Sequence, residues 1–160
     1  MSNQADYKLL CASSLGEELS EQECKVLAGI MGVRQLDDGE LLVSESGSDH
    51  TLFVLIDGHL DVISKSGDRE EVVYTMLRGE CAGTRAFVDR TPRKATLRAS
   101  EQATVYTLEP DDFESLLKSH PEIVYKVMRA LFRITHINLL RMNQESQQLA
   151  NYISKTRGRY

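Results

Sequence analysis

No run of apolar residues in this chain approaches the length needed to span a bilayer, so a membrane-spanning role is not expected. The opening MSNQADYKLL lacks the basic start and apolar centre of a secretion signal, and the expected setting is the cytoplasm. Cysteine is scarce. Cys11, Cys24 and Cys81 are odd in number, lie far apart and form no CxxC pair or zinc-type Cys/His cluster, so reduced thiols are expected. Histidine is scarce too: His50 and His59 do not make the closely spaced His-x-His of small-barrel metalloenzymes, and His120 and His136 lie far from both. There is no nucleophile-elbow motif, and Asp37-Asp38 and Asp111-Asp112 sit at a turn and a helix start. The chain therefore reads as a non-enzyme. A net charge of -5 argues against broad nucleic-acid binding.

What remains is ordinary for a globular domain of 160 residues, with 41% hydrophobic and 27% charged residues. Residues 1–35 read as helical, and Ser20 followed by Glu23 is a capping-box signature that starts a helix at Glu21. The pattern then shifts to short β-type runs at Glu40–Ser44, Thr51–Asp57, His59–Ser64, Glu71–Met76, Ala95–Ala99 and Thr104–Leu108. Turn signals separate them, and Asp57-Gly58 predicts a hairpin between its flanking strands. Beyond Leu108 the helical period returns, with a short helix over Asp111–Ser119. A long helix then covers Pro121–Ser154, free of Gly and Pro after its first position. The expected organisation is an N-terminal helical segment (1–35), a β-barrel (36–109), C-terminal helices (110–154) and a frayed tail (155–160). The fold class is mainly β with flanking helices: a double-stranded β-helix, or jelly roll.

The stretch Gly79–Ala99 gathers Arg85, Arg90, Arg93, Lys94 and Arg98 against only Glu80 and Asp89. Gly79, Ala82, Gly83, Ala86 and Ala95 sit among these cations. Glycine lets backbone N–H groups approach a ligand closely, and arginine's planar fork matches phosphate oxygens. This local chemistry suits one small phosphorylated ligand, and residues 83–96 are its core.

Gly83-Thr84-Arg85-Ala86-Phe87, the spacer Val88–Thr91 and Pro92-Arg93-Lys94-Ala95-Thr96-Leu97 together resemble the phosphate cassette of cyclic nucleotide-binding domains. The relevant members are catabolite-activator-like regulators and the regulatory subunits of cAMP-dependent kinase. The resemblance covers roughly Leu19 to Leu149 and includes the turn at Gly39, the Ile56–Leu60 hairpin and Arg78-Gly79-Glu80. It implies cAMP or cGMP as ligand, with no other cofactor. Gly83 would open the cassette turn, Arg93 would pair with the cyclic phosphate, and amides near Thr84–Ala86 and Lys94–Ala95 would complete the cradle. Asn138 falls where bacterial members approach the adenine edge.

The departures are local. Thr84 stands where the family's glutamate accepts from the ribose 2′-hydroxyl, and Arg85 and Lys94 replace an aliphatic and a small residue. Exchanging a charge-assisted hydrogen bond of about 1.5–3 kcal/mol for a neutral one of about 0.5–1.5 weakens binding roughly ten-fold. Three alternatives stay open: a cyclic mononucleotide, a more anionic ligand such as cyclic di-GMP, or a ligand-free interaction and dimerisation scaffold. Relatives that read DNA continue into a helix-turn-helix module, for which the chain leaves no room, so direct DNA binding is not expected. Leu140, Met142, Leu149 and Ile153 make an apolar stripe on the long helix, which predicts a homodimer through that helix and a protein partner for the signal.

Overall fold

In a computed structural model, which describes residues 3–157, the chain forms a jelly-roll barrel capped at one end by N-terminal helices and flanked by one long helix. Helix α1 (Tyr7–Cys11), a 3-10 turn (Ser14–Gly16) and α2 (Glu21–Ala28) precede the barrel. The capping box at α2 is present in both directions: the Ser20 hydroxyl accepts from the Glu23 amide, and the Glu23 carboxylate accepts from the Ser20 amide. These elements bury Leu10, Leu15, Cys24 and Leu27 against Leu52, Val54, Leu108 and the root of the long helix.

Eight strands make two antiparallel four-stranded sheets. One has the order β1 (Gly32–Leu36), β8 (Ala103–Leu108), β3 (Leu52–Asp57), β6 (Cys81–Ala82); the other has β2 (Leu41–Val43), β7 (Thr96–Ala99), β4 (Leu60–Ser66), β5 (Arg69–Met76). Between them lies an apolar core of Leu36, Phe53, Leu55, Leu60, Met76, Leu97 and Val105. Period-two alternation locates most strands, but β1 begins at Gly32, inside the segment expected to be helical, and the two-residue β6 gives no pattern at all.

The Asp57-Gly58 turn is not the hairpin expected. Strand β3 pairs with β6 and β8, whereas β4 pairs with β5 and β7, so this turn carries the chain from one sheet to the other. Gly58 has φ +84° and a Cβ there would lie 2.3 Å from the Gln102 carbonyl oxygen; only glycine fits this crossing. The hairpin is instead β4–β5, turned at Ser66–Arg69.

Helix α3 (Thr84–Asp89) follows β6. The helix expected over Asp111–Ser119 is two short helices, α4 (Pro110–Glu114) and α5 (Leu116–Ser119). Helix α6 (Pro121–Arg157) is continuous for 37 residues. Lys155, Thr156 and Arg157 are its last turn rather than a frayed tail, and the rest of that tail (158–160) lies outside the described residues. Ile123, Val127, Ala130 and Leu131 bury the first half of α6 against the N-terminal helices, while Leu139, Leu140, Met142, Leu149 and Ile153 remain exposed.

The expectation of reduced thiols fails at two positions. Cys11 and Cys24 form a disulfide with Cα atoms 5.8 Å apart. Their separation of 13 in sequence disguised the pairing; packing α1 against α2 brings the side chains together. Cys81 is a buried free thiol, and burial pushes its pKa up to about 12, as expected for a packing residue. Among the described residues no helix is long and apolar enough to cross a membrane.

Candidate functional site

A cavity of about 1170 Å³ lies between strands β4 and β5, the segment from β6 to β7, and the middle of α6. All seven residues singled out from the sequence line it: Gly83, Thr84, Arg85, Ala86, Arg93, Lys94 and Asn138. They do so in different ways. Gly83 caps α3 with φ +86°, in the left-handed region that favours glycine. Thr84 is half-buried at the first helical position, and Ala86 is buried. Arg85 is exposed and pairs with Asp89 one turn on, at 2.6 Å. Lys94 is exposed, and Asn138 is half-buried on α6.

Arg93 is the buried cation of the site, with its side chain only 3% exposed. Nε donates to Asp49 Oδ1 at 3.3 Å, and Nη2 donates to Asp49 Oδ2 at 2.5 Å and to the Thr51 carbonyl at 2.7 Å. The Phe53 ring lies beneath, its centroid 5.3 Å from the guanidinium carbon. The backbone locks the same unit, since Arg93 N donates to Gly47 O and Ser46 N donates to Arg93 O. Arg93 holds the Asp49 carboxyl below its usual range, first by hydrogen bonding and then by charge, against the opposing effect of burial.

Nη1 of Arg93 is different: it is buried without a hydrogen-bond partner. It faces the cassette turn so closely that a Cβ on Gly83 would lie 2.5 Å from it. An unpaired charged donor is costly to bury, and an anion at this position would be stabilised by it. A phosphate oxygen there would satisfy Nη1 and complete the bidentate chemistry that arginine favours.

Several members of the site escaped the sequence reading. Asp49 and Thr51 anchor Arg93 from more than forty residues away, and Gly47-Ser48-Asp49 signalled only a turn. Across the cavity the Arg141 guanidinium lies over the Tyr74 ring, 3.7 Å from its centroid. Tyr74 Oη donates to Glu80 Oε1 at 2.6 Å. Burial, and then this bond, raises the Tyr74 pKa, with Arg141 opposing. Neither Tyr74 nor Arg141 sits in a motif; only register and helix phase bring them together.

The fold and this cavity define the class. The profile of the cyclic nucleotide-binding domain family matches residues 33–120, and the chain belongs to that family. The cAMP-dependent protein kinase regulatory subunit of Mycosarcoma maydis is 29% identical over 93 residues, 58% of this chain and 18% of that protein. Among solved structures, a cyclic nucleotide-binding domain from Methylobacillus flagellatus superposes with a TM-score of 0.79 at 19% identity, covering 87% of this chain and 79% of its own. The Thermus thermophilus catabolite activator protein gives a TM-score of 0.71 at 19% identity, covering 84% and 63%. At these identities the superpositions show the fold. The chain spans 6%, 18% and 12% of the length of three relatives matched by sequence.

Proposed function

We propose that this chain is a ligand-sensing regulatory module that binds a cyclic nucleotide of the cAMP or cGMP type and signals through α6. The observation that carries this reading is the buried, unpartnered Nη1 of Arg93 beside the positive-φ Gly83. The cyclic phosphate would take Nη1 and the amides of Thr84–Ala86 and Lys94–Ala95, with the ribose beside Thr84 and the base toward Asn138. Residues 36–109 then hold the ligand and 110–154 report it. Signalling requires that ligand bind one arrangement of α6 better than another, and α6 supplies Asn138 and Arg141 to the cavity wall.

Two observations bear on the partners. The exposed stripe from Leu139 to Ile153 leaves α6 with apolar surface that a second copy, packing the same helix, would cover. A more anionic ligand such as cyclic di-GMP is the second ligand reading, because Lys94 adds an exposed cation to the cavity. Arg85, already paired with Asp89, adds less free positive charge than the sequence suggests. In the cytoplasm, the setting proposed for this role, the Cys11–Cys24 bond must withstand cellular reductants.

Calorimetric titration with cAMP, cGMP and cyclic di-GMP tests the ligand, with Arg93→Ala and Arg93→Lys as variants. Wild type should bind at least one, Arg93→Ala should lose binding, and Arg93→Lys should retain part of it. Binding unchanged in Arg93→Ala would refute the phosphate role. Absence of heat and of any thermal shift with all three would leave the ligand-free scaffold. Light scattering at high concentration reads the dimer; a species of 18.0 kDa alone removes it.

A further inference from the structure

We propose that the Cys11–Cys24 bond is a reversible redox site that sets how firmly the root of α6 is held and, through α6, how tightly the cavity holds its ligand. The second half of this inference rests on the cyclic-nucleotide reading above. The bond joins the end of α1 to the middle of α2 and closes a loop over residues 12–23. Among the described residues, every ion pair on the first four turns of α6 has its carboxylate inside that loop. Glu23 meets Lys126 at 2.7 Å, Glu18 meets Arg129 and Arg133 at 3.2 Å, and Glu17 meets Arg133 at 3.6 Å. Glu23 stands next to Cys24 and also closes the capping box of α2. The same loop touches the approach to the cassette. Ser14 N donates to the Gly79 carbonyl at 2.9 Å, Gly79 N donates to the Leu55 carbonyl at 2.7 Å, and Ser14 lines the cavity.

Cys24 is fully buried, whereas Cys11 is half-buried at the end of α1. A thiolate from solvent therefore reaches Cys11 first. It attacks Cys11 Sγ, the S–S bond breaks, and Cys24 leaves with the electron pair and is protonated. The second thiolate of a dithiol then attacks the mixed disulfide. Cys11 leaves and is protonated in turn, and the reagent becomes a cyclic disulfide. The dithiol supplies both electrons and both protons. Leu10, Leu15 and Leu27 keep α1 and α2 packed afterwards, so the loop loosens rather than unfolds. Glu17 and Arg129 are exposed, and ion pairs of this kind hold little unless the backbone that carries them is already ordered. Closed, the loop fixes the root of α6 and with it Asn138 and Arg141 on the cavity wall. Open, it lets the root drift, and the arrangement of α6 that binds ligand best is less populated. Cytosolic disulfides are as a rule transient, with catalytic or redox-sensing roles. While this bond withstands reductants the sensor is competent; a dithiol that opens it turns the sensor down.

Hydrogen exchange over residues 121–135 compares the oxidised chain, the chain reduced with dithiothreitol, and the reduced chain returned to oxidised glutathione. Leu36→Ala keeps the bond but truncates a side chain in the barrel core, and is the control for lost stability as such. Added urea matches it to the reduced chain in unfolding free energy. Root exchange should be faster in the reduced chain than in this control by about five-fold or more, and should slow again on reoxidation. Calorimetry should show the nucleotide that binds the oxidised chain binding the reduced one about five-fold or more weakly. By linkage, saturating nucleotide should raise the ratio of reduced to oxidised dithiothreitol needed for half-reduction by the same factor. The Cys11→Ser/Cys24→Ser variant should match the reduced chain with or without dithiothreitol. Root exchange no faster than in the matched control, nucleotide affinity unchanged by reduction, or failure to reoxidise overturns the redox site. If none of cAMP, cGMP and cyclic di-GMP binds either form, the cyclic-nucleotide reading falls, and root exchange alone decides the redox site.

Discussion

Asp49→Ala probes whether Arg93 depends on a partner remote in sequence. The substitution removes two of the three side-chain hydrogen bonds of Arg93 and the only carboxylate the described contacts place on it, leaving the Thr51 carbonyl. Arg93 is almost fully enclosed, but the Asp49 side chain is 48% exposed, so water screens part of the pair. The cost should therefore fall between the roughly 0–1 kcal/mol of a surface ion pair and the roughly 3–5 kcal/mol of a broken buried one. About 2 kcal/mol is expected, which lowers the melting temperature of a domain this size by about 4–8 °C. Urea denaturation followed by circular dichroism measures it. The control is the same substitution in an Arg93→Met background, where no buried charge is left to strand and the cost should drop below about 0.5 kcal/mol. Equal costs in the two backgrounds, or a negligible cost in wild type, would refute the coupling.

Gly83→Ala should destabilise the cassette by more than about 1 kcal/mol and abolish nucleotide-induced thermal shifts, because φ is +86° and the new Cβ meets Arg93 Nη1 and the Thr51 carbonyl. Thiol titration in denaturant without reductant should count one free cysteine, Cys81, and Cys24→Ser should lower stability by about 3 kcal/mol for a loop of this length. Asp49 has a depressed folded pKa, so its contribution is complete above its ordinary value of 3.8 and disappears as pH falls through the folded value. The stability gap between wild type and Asp49→Ala should accordingly stay constant above about pH 5 and close in acid.

The Gly83 turn and the buried Arg93 were legible because a glycine and a cation stand in fixed order along one continuous stretch. The order of helix, barrel and helix was legible because apolar periodicity survives in most elements. The parts that stayed hidden are those set by tertiary placement. Asp57-Gly58 has a hairpin's composition, yet whether such a turn folds a strand back or passes it to the opposite sheet depends on Gln102 and Ala103, which press on Gly58 from far along the chain. Asp49 carries no mark distinguishing it from other turn acids until Arg93 is beside it. Cys11 and Cys24 meet only when α1 and α2 pack, and Arg141 finds Tyr74 only through the phase of α6 against β5.

The uninterrupted length of α6 has a mechanical consequence. Its root is held along one side by Glu23 on Lys126 at 2.7 Å and by Glu18 on Arg129 and Arg133 at 3.2 Å. All three cations lie in its first four turns, and no glycine or proline interrupts the helix beyond them. The 23 residues from Thr135 to Arg157 extend about 35 Å at 1.5 Å per residue. A tilt of about 10° at the root therefore carries the far end roughly 6 Å, about one helical pitch. If ligand tilts α6 as proposed, a shift of about 1–2 Å beside Asn138 and Arg141 would reach the end of this arm enlarged several-fold, and the distal half of α6 would carry the largest displacement.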